Sequence, residues 1–75
     1  MKYLIVFEKA ARNYSAYVPD LPGCVATGRT KAQVEKRIRE AIDFHISGLM
    51  EDGDEIPAPR AFAEYEEVAV ASAGR

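Results

Sequence analysis

One histidine, His45, and one cysteine, Cys24, are the only side chains of their kind in 75 residues. Nucleophilic or metal chemistry would have to be built around a single imidazole or thiol, and neither has the neighbours this requires. His45 falls on an apolar stripe with no second ligand or nucleophile close in sequence, so it reads as a core or interface residue holding one hydrogen bond. Cys24 follows Gly23, with no basic residue or histidine beside it to lower its pKa, and reads as a small packing group. Ser15 and Ser47 lack a G-x-S-x-G turn, and the five glycines form no phosphate-cradling loop. The acidic run Glu51, Asp52, Gly53, Asp54, Glu55 lacks the ligand spacing of a calcium loop and reads as a solvated linker or as the complement of a basic partner. These residue types supply no catalytic set, and no cofactor or metal site is expected.

The elements that would position these groups follow from periodicity and turn chemistry. Residues 3–7 are a continuous apolar run between Lys2 and Glu8-Lys9, expected of a strand covered on both faces and therefore central. A turn over residues 10–13 leads to a second strand, residues 14–18, which Pro19 closes because it cannot donate a ladder hydrogen bond. Pro19 and Pro22 fix φ around Asp20 and Leu21, and Gly23 is free to take positive φ, so residues 19–23 form a stiff turn before a third strand that ends at Gly28.

Thr30 is an N-cap and Gln33 completes a capping box, so a helix opens there. Val34, Ile38, Ala41, Ile42, His45 and Leu49 recur at helical spacing and form the sheet-facing stripe, flanked by Phe44, Ile46 and Met50. Gly53 is the expected C′ residue, followed by an extended connector over residues 54–60. Residues 65–70 read as a last strand with Glu66, Val68 and Val70 inward, and residues 71–75 as a frayed tail. The expected class is α+β in the order β-β-β-α-β: a three-stranded antiparallel meander, a crossover helix and a fourth strand beside the first.

A chain of 75 residues with 48% hydrophobic content makes one domain, residues 1–75, near the lower limit for an unaided core. A homo-oligomer, dimer or tetramer, is therefore expected. The net charge of −2 argues against direct nucleic-acid binding, which needs clustered Lys and Arg. With one cysteine, no signal peptide and no membrane-length apolar span, the expected location is the cytoplasm.

The ordered set Pro19-Asp20-Leu21-Pro22-Gly23-Cys24 within residues 15–27, then Thr30, Glu40-Ala41-Ile42, His45, Gly48-Leu49, Glu51-Asp52-Gly53 and Ile56-Pro57-Ala58-Pro59, carries a family resemblance. It resembles the N-terminal domain of the HicB-like antitoxins, bacterial proteins that neutralise small RNA-cleaving toxins of the HicA family. The resemblance implies a shortened ribonuclease H-like core and a HicA-like toxin as partner, neutralised by steric occlusion. It also implies that the catalytic histidine of the system belongs to the toxin. Many such antitoxins add a C-terminal DNA-binding segment, for which a chain ending at Arg75 has no room. That departure keeps open an orphan, homo-oligomeric domain with another regulatory role.

A ribonuclease H-like layout also invites a two-metal nuclease reading through Glu8, Glu35 or Glu40, and Glu66 or Glu67. Glu8 at a strand end and helix acids away from the apolar stripe speak against their convergence. The expected partner-binding residues are Asp20, Leu21, Pro22, Gly23 and Cys24 of the stiff turn and Glu51 and Asp52 of the acidic run. For both segments the competing reading is that they only shape the fold.

Overall fold

The computed structural model describes residues 1–71. Three strands, β1 (Val6–Lys9), β2 (Tyr14–Tyr17) and β3 (Val25–Gly28), form an antiparallel sheet in the order β1-β2-β3, and one helix, α1 (Lys31–Glu51), covers one of its faces. This is the expected α+β meander and helix. Two expectations about the sheet are corrected. The first strand is an edge and β2 is the centre; residues 65–70 form no strand within the chain, with Tyr65, Val68 and Val70 exposed. The expected frayed tail lies, apart from residue 71, outside the described residues.

Pro19 explains why β1 starts late. Val18 donates its N–H to the Cys24 carbonyl at 3.1 Å, so it faces β3, and the next residue is the one that faces β1. That residue is Pro19, which has no N–H to offer opposite Leu4, and pairing begins only at Val6↔Tyr17. Register places Val6, Tyr17 and Val25 on one face and Phe7, Ala16 and Ala26 on the other. The second face meets the helix. Ala16, Val18, Leu21, Cys24, Val34 and Ile38 form the buried core, with Tyr3, Ile5, Tyr14, Ala26, Ala41, Ile42 and Ile46 packed against it. Leu4, Val6, Tyr17 and Val25 lie on the uncovered face, so the apolar run that suggested a strand covered on both sides has one side open.

Helix α1 begins where its capping chemistry dictates. The Thr30 hydroxyl accepts from the Gln33 N–H at 3.0 Å, while the Gln33 side chain reaches back to the Arg29 N–H at 2.7 Å, one residue before the usual capping-box donor. At the other end the Gly53 N–H donates to the Met50 carbonyl and the Asp54 N–H to the Leu49 carbonyl, a Schellman closure with Gly53 at C′ and φ +72°. Twenty-one residues make a helix of roughly 32 Å, whereas a four-residue strand spans only about 13 Å. Only the first half can therefore lie over the sheet: Val34 and Ile38 are buried, while Phe44 is 83% and Met50 67% exposed. On the half-covered part Ile46, rather than His45, joins the core.

The seam between sheet and helix is tight at Gly28, where a Cβ would come within 2.8 Å of the Val34 backbone nitrogen. No larger residue fits there without moving the helix start.

Beyond Gly53 the chain runs extended across one end of the sheet and then projects from it. The Tyr3 hydroxyl donates to the Pro57 carbonyl, and the Asp20 carboxylate holds the next residues down. The radius of gyration is 16.2 Å and the long axis 59 Å, against roughly 11 Å expected for a compact chain of this length. The C-terminal arm is responsible for the difference.

Candidate protein-binding surface

The stiff turn after β2 consists of two successive β-turns. Leu21 N–H donates to the Val18 carbonyl at 3.0 Å with Pro19 second in the turn, and Cys24 N–H donates to the Leu21 carbonyl at 3.0 Å with Pro22 second and Gly23 third. Gly23 has φ +85°, the value a type II turn demands at that position and that side chains resist. The geometry turns Leu21 inward, where it is fully buried, and leaves Pro22 and Gly23 at the exposed tip.

Burial thus divides the residues expected to bind a partner. Leu21 and Cys24 are core, at 0% and 3% exposure, and support the surface from beneath. Burial also pushes the Cys24 thiol pKa up, which keeps it protonated and inert. Asp20 is half-buried and acts as a clamp: one oxygen of its carboxylate accepts the N–H groups of both Arg60 and Ala61 at 2.9 Å. Together with Glu55, Ile56, Pro57, Ala58 and Arg60 it lines a groove of about 360 Å³. The structure therefore joins Asp20 of the turn with Glu55 of the acidic run, a meeting that sequence spacing could not show. Glu51 and Asp52 lie exposed just upstream, at the helix end.

The charge on α1 opposes its own dipole. There is no acidic residue in the first turn and no basic one in the last. Arg29 and Lys31 stand at the positive end, and Glu51 and Asp52 at the negative one, followed by Asp54 and Glu55. Lys31 offsets part of this by bonding Glu35 at 2.9 Å, which raises the lysine pKa and lowers that of the glutamate. Among the described residues the acidic end has no such ion pair, so a basic surface docked there would meet its negative field.

The carboxylates of the nuclease reading do not meet. Glu8 lies on the open face of the sheet, Glu35 is tied to Lys31 on the helix, and Glu66 and Glu67 sit on the projecting arm. Among the described residues no group of three His, Cys, Asp or Glu side chains is placed to hold a metal ion.

Residues 3–71 match the HicB-like antitoxin family of bacterial toxin-antitoxin systems. The chain belongs to the HicB-like antitoxin family. A 14.9 kDa protein of the rep-hol intergenic region of Haemophilus phage HP1 is 40% identical over 87% of the chain, which spans only 49% of that protein. A UPF0150 protein of Thermoplasma acidophilum is 37% identical over 81% of the chain and 90% of its own length. Among solved structures, a chain of a HicA3 and HicB3 toxin-antitoxin complex superposes with a TM-score of 0.66 at 35% identity, covering 79% of this chain and 70% of that one.

Asp20→Ala should release the connector of this HicB-like domain without touching the core. Loss of two hydrogen bonds to a carboxylate, partly solvated, should cost about 1–2 kcal/mol. Trypsin should then cut after Arg60 several-fold faster than in the parent protein. Unchanged cleavage would show that the clamp does not hold the connector in solution.

Proposed function

We propose that this chain neutralises a small RNA-cleaving toxin of the HicA type by covering its RNA-binding or catalytic face, with no chemistry of its own. The observation that carries the reading is the 35% identity and 0.66 TM-score shared with a chain from a HicA3 and HicB3 complex, taken with family membership over residues 3–71. The surface supports it. An RNA-cleaving toxin must attract phosphate and is therefore basic, and the acidic helix end with Glu51, Asp52, Asp54 and Glu55 presents the opposite charge. The exposed Pro22-Gly23 tip and the groove at Asp20 and Glu55 form its rigid neighbour. The chain itself is not expected to bind nucleic acid. Its site of action is the cytoplasm, where the RNA is; no helix among the described residues is long and apolar enough to cross a membrane.

A second reading, an orphan domain that associates with itself, is favoured by the exposed apolar residues of the arm. The neighbouring reading frame separates the two. Co-expression with a short basic protein encoded there should yield a complex that co-purifies and restores growth to cells poisoned by that protein alone. A toxic neighbour that is neither bound nor neutralised would overturn the antitoxin reading.

A further inference from the structure

Three features of the chain are complementary and unsatisfied within one copy. The first is the outer edge of β1, which has no neighbouring strand among the described residues. Edges of this kind are templates for another strand unless something blocks them. The opposite edge is capped at one position: on β3 the carbonyl of Thr27 is taken by the Arg37 guanidinium at 3.0 Å. No side chain among the described residues does the same for β1. The helix, moreover, packs on β2 and β3 and leaves β1 aside, so Phe7 stays 38% exposed although it points to the helix side.

The second feature is the arm. Residues 65–70 pair with no strand among the described residues and are exposed, with Tyr65 at 105%, Val68 at 69% and Val70 at 82%. Six extended residues reach about 20 Å, enough to lie along the whole of β1. Aromatic and β-branched residues on both faces suit a strand beside β1, which offers Leu4 and Val6 on one face and Ile5 and Phe7 on the other. The third feature is charge. Glu64, Glu66 and Glu67 stud the arm, while Lys2 and Lys9 flank β1 and the Lys31 ammonium stands 6.0 Å from the Phe7 ring. The clamp at Asp20 fixes where the arm departs, and from Ala61 it projects away from its own sheet.

We propose that residues 65–70 of one copy add as the fourth strand to β1 of a second copy, reciprocally, giving a strand-exchanged homodimer. The two-fold arrangement satisfies both free edges at once and covers the apolar residues of both arms. It also accounts for the strand expected at 65–70, which is formed between copies rather than within one.

The test needs no toxin, so its outcome is independent of the antitoxin reading. Sedimentation equilibrium of the full chain should show a reversible dimer at micromolar concentrations. The double variant Val68→Asp with Val70→Asp, altering only exposed positions, should keep the far-ultraviolet spectrum of the core and raise the dissociation constant on the order of 100-fold. Isotope-filtered NMR on a mixture of labelled and unlabelled copies should show contacts between the Val68 and Val70 methyls of one and β1 of the other. A chain monomeric throughout, a dimer indifferent to the two aspartates, or arm contacts made to β1 of the same copy would each overturn the proposal.

Discussion

Replacing Glu51 and Asp52 together by lysine is expected to strengthen the free protein and weaken the proposed complex with a basic toxin. Both residues stand at the C-terminal end of α1, where the last carbonyls already concentrate negative charge. Exchanging two misplaced acids for bases at about 0.3–1 kcal/mol each should stabilise the isolated domain by about 1 kcal/mol. In a domain of this size that raises the melting temperature by roughly 4–8 °C. Against a basic toxin the same exchange turns attraction into repulsion, and affinity should fall on the order of 10- to 100-fold at low salt, mostly through slower association. The deficit should narrow as salt screens the charges. Opposite signs make the result diagnostic: a binding loss cannot then be ascribed to unfolding. Affinity equal to that of the parent protein would place the interface away from the acidic helix end.

Leu21→Ala should have the largest effect on folding of any change in the proline turn. Leu21 is fully buried although it sits between two prolines in a loop. Truncating a buried leucine costs about 2–5 kcal/mol, while a domain of this length has a total stability of roughly 4–11 kcal/mol. At mid-range values urea unfolding should therefore show the midpoint reduced by about half. Pro22→Ala, at the exposed tip, should cost less than 1 kcal/mol by contrast (about that much is the gain from a well-placed proline). Leu21→Met keeps the volume, should cost less than about 1.5 kcal/mol, and should bind toxin as the parent does. A loss of binding with Leu21→Met in a folded protein would mean that the side chain reaches the partner after all. A Leu21→Ala protein of near-parent stability would contradict the packing directly.

The two substitutions mark the boundary between what was legible along the chain and what was not. Local chemistry carried a great deal. Thr30 and Gln33 specified the helix start, because a cap is satisfied by atoms three residues away. Gly53 specified its end for the same reason, and Pro22-Gly23 specified a turn that needs positive φ. The family, too, was readable, since its marks are an ordered set of turn and helix residues within residues 3–71.

Pairing was harder. The run over residues 3–7 is apolar at every position, which is equally what a central strand and an edge strand awaiting a second chain require. Pro19 on its neighbour decided only where its pairing starts, a missing N–H two strand positions past the ladder's start; it is an edge because residues 65–70 form no strand beside it within the chain.

Within the candidate surface, sequence alone identified the turn and the acidic run as the two segments of interest, on stiffness and charge. Only the folded chain assigned their members to roles. It buried Leu21 and Cys24, exposed Pro22, and tied Asp20 to Arg60 and Ala61 across 40 residues of sequence. Caps, turns and helical stripes are set by neighbours within a few residues, so their physics is complete in the sequence. Burial, strand order and the edge of β1 left without a neighbour among the described residues depend on which distant groups share a hydrogen bond or cavity at lowest free energy, and only the tertiary structure decides that.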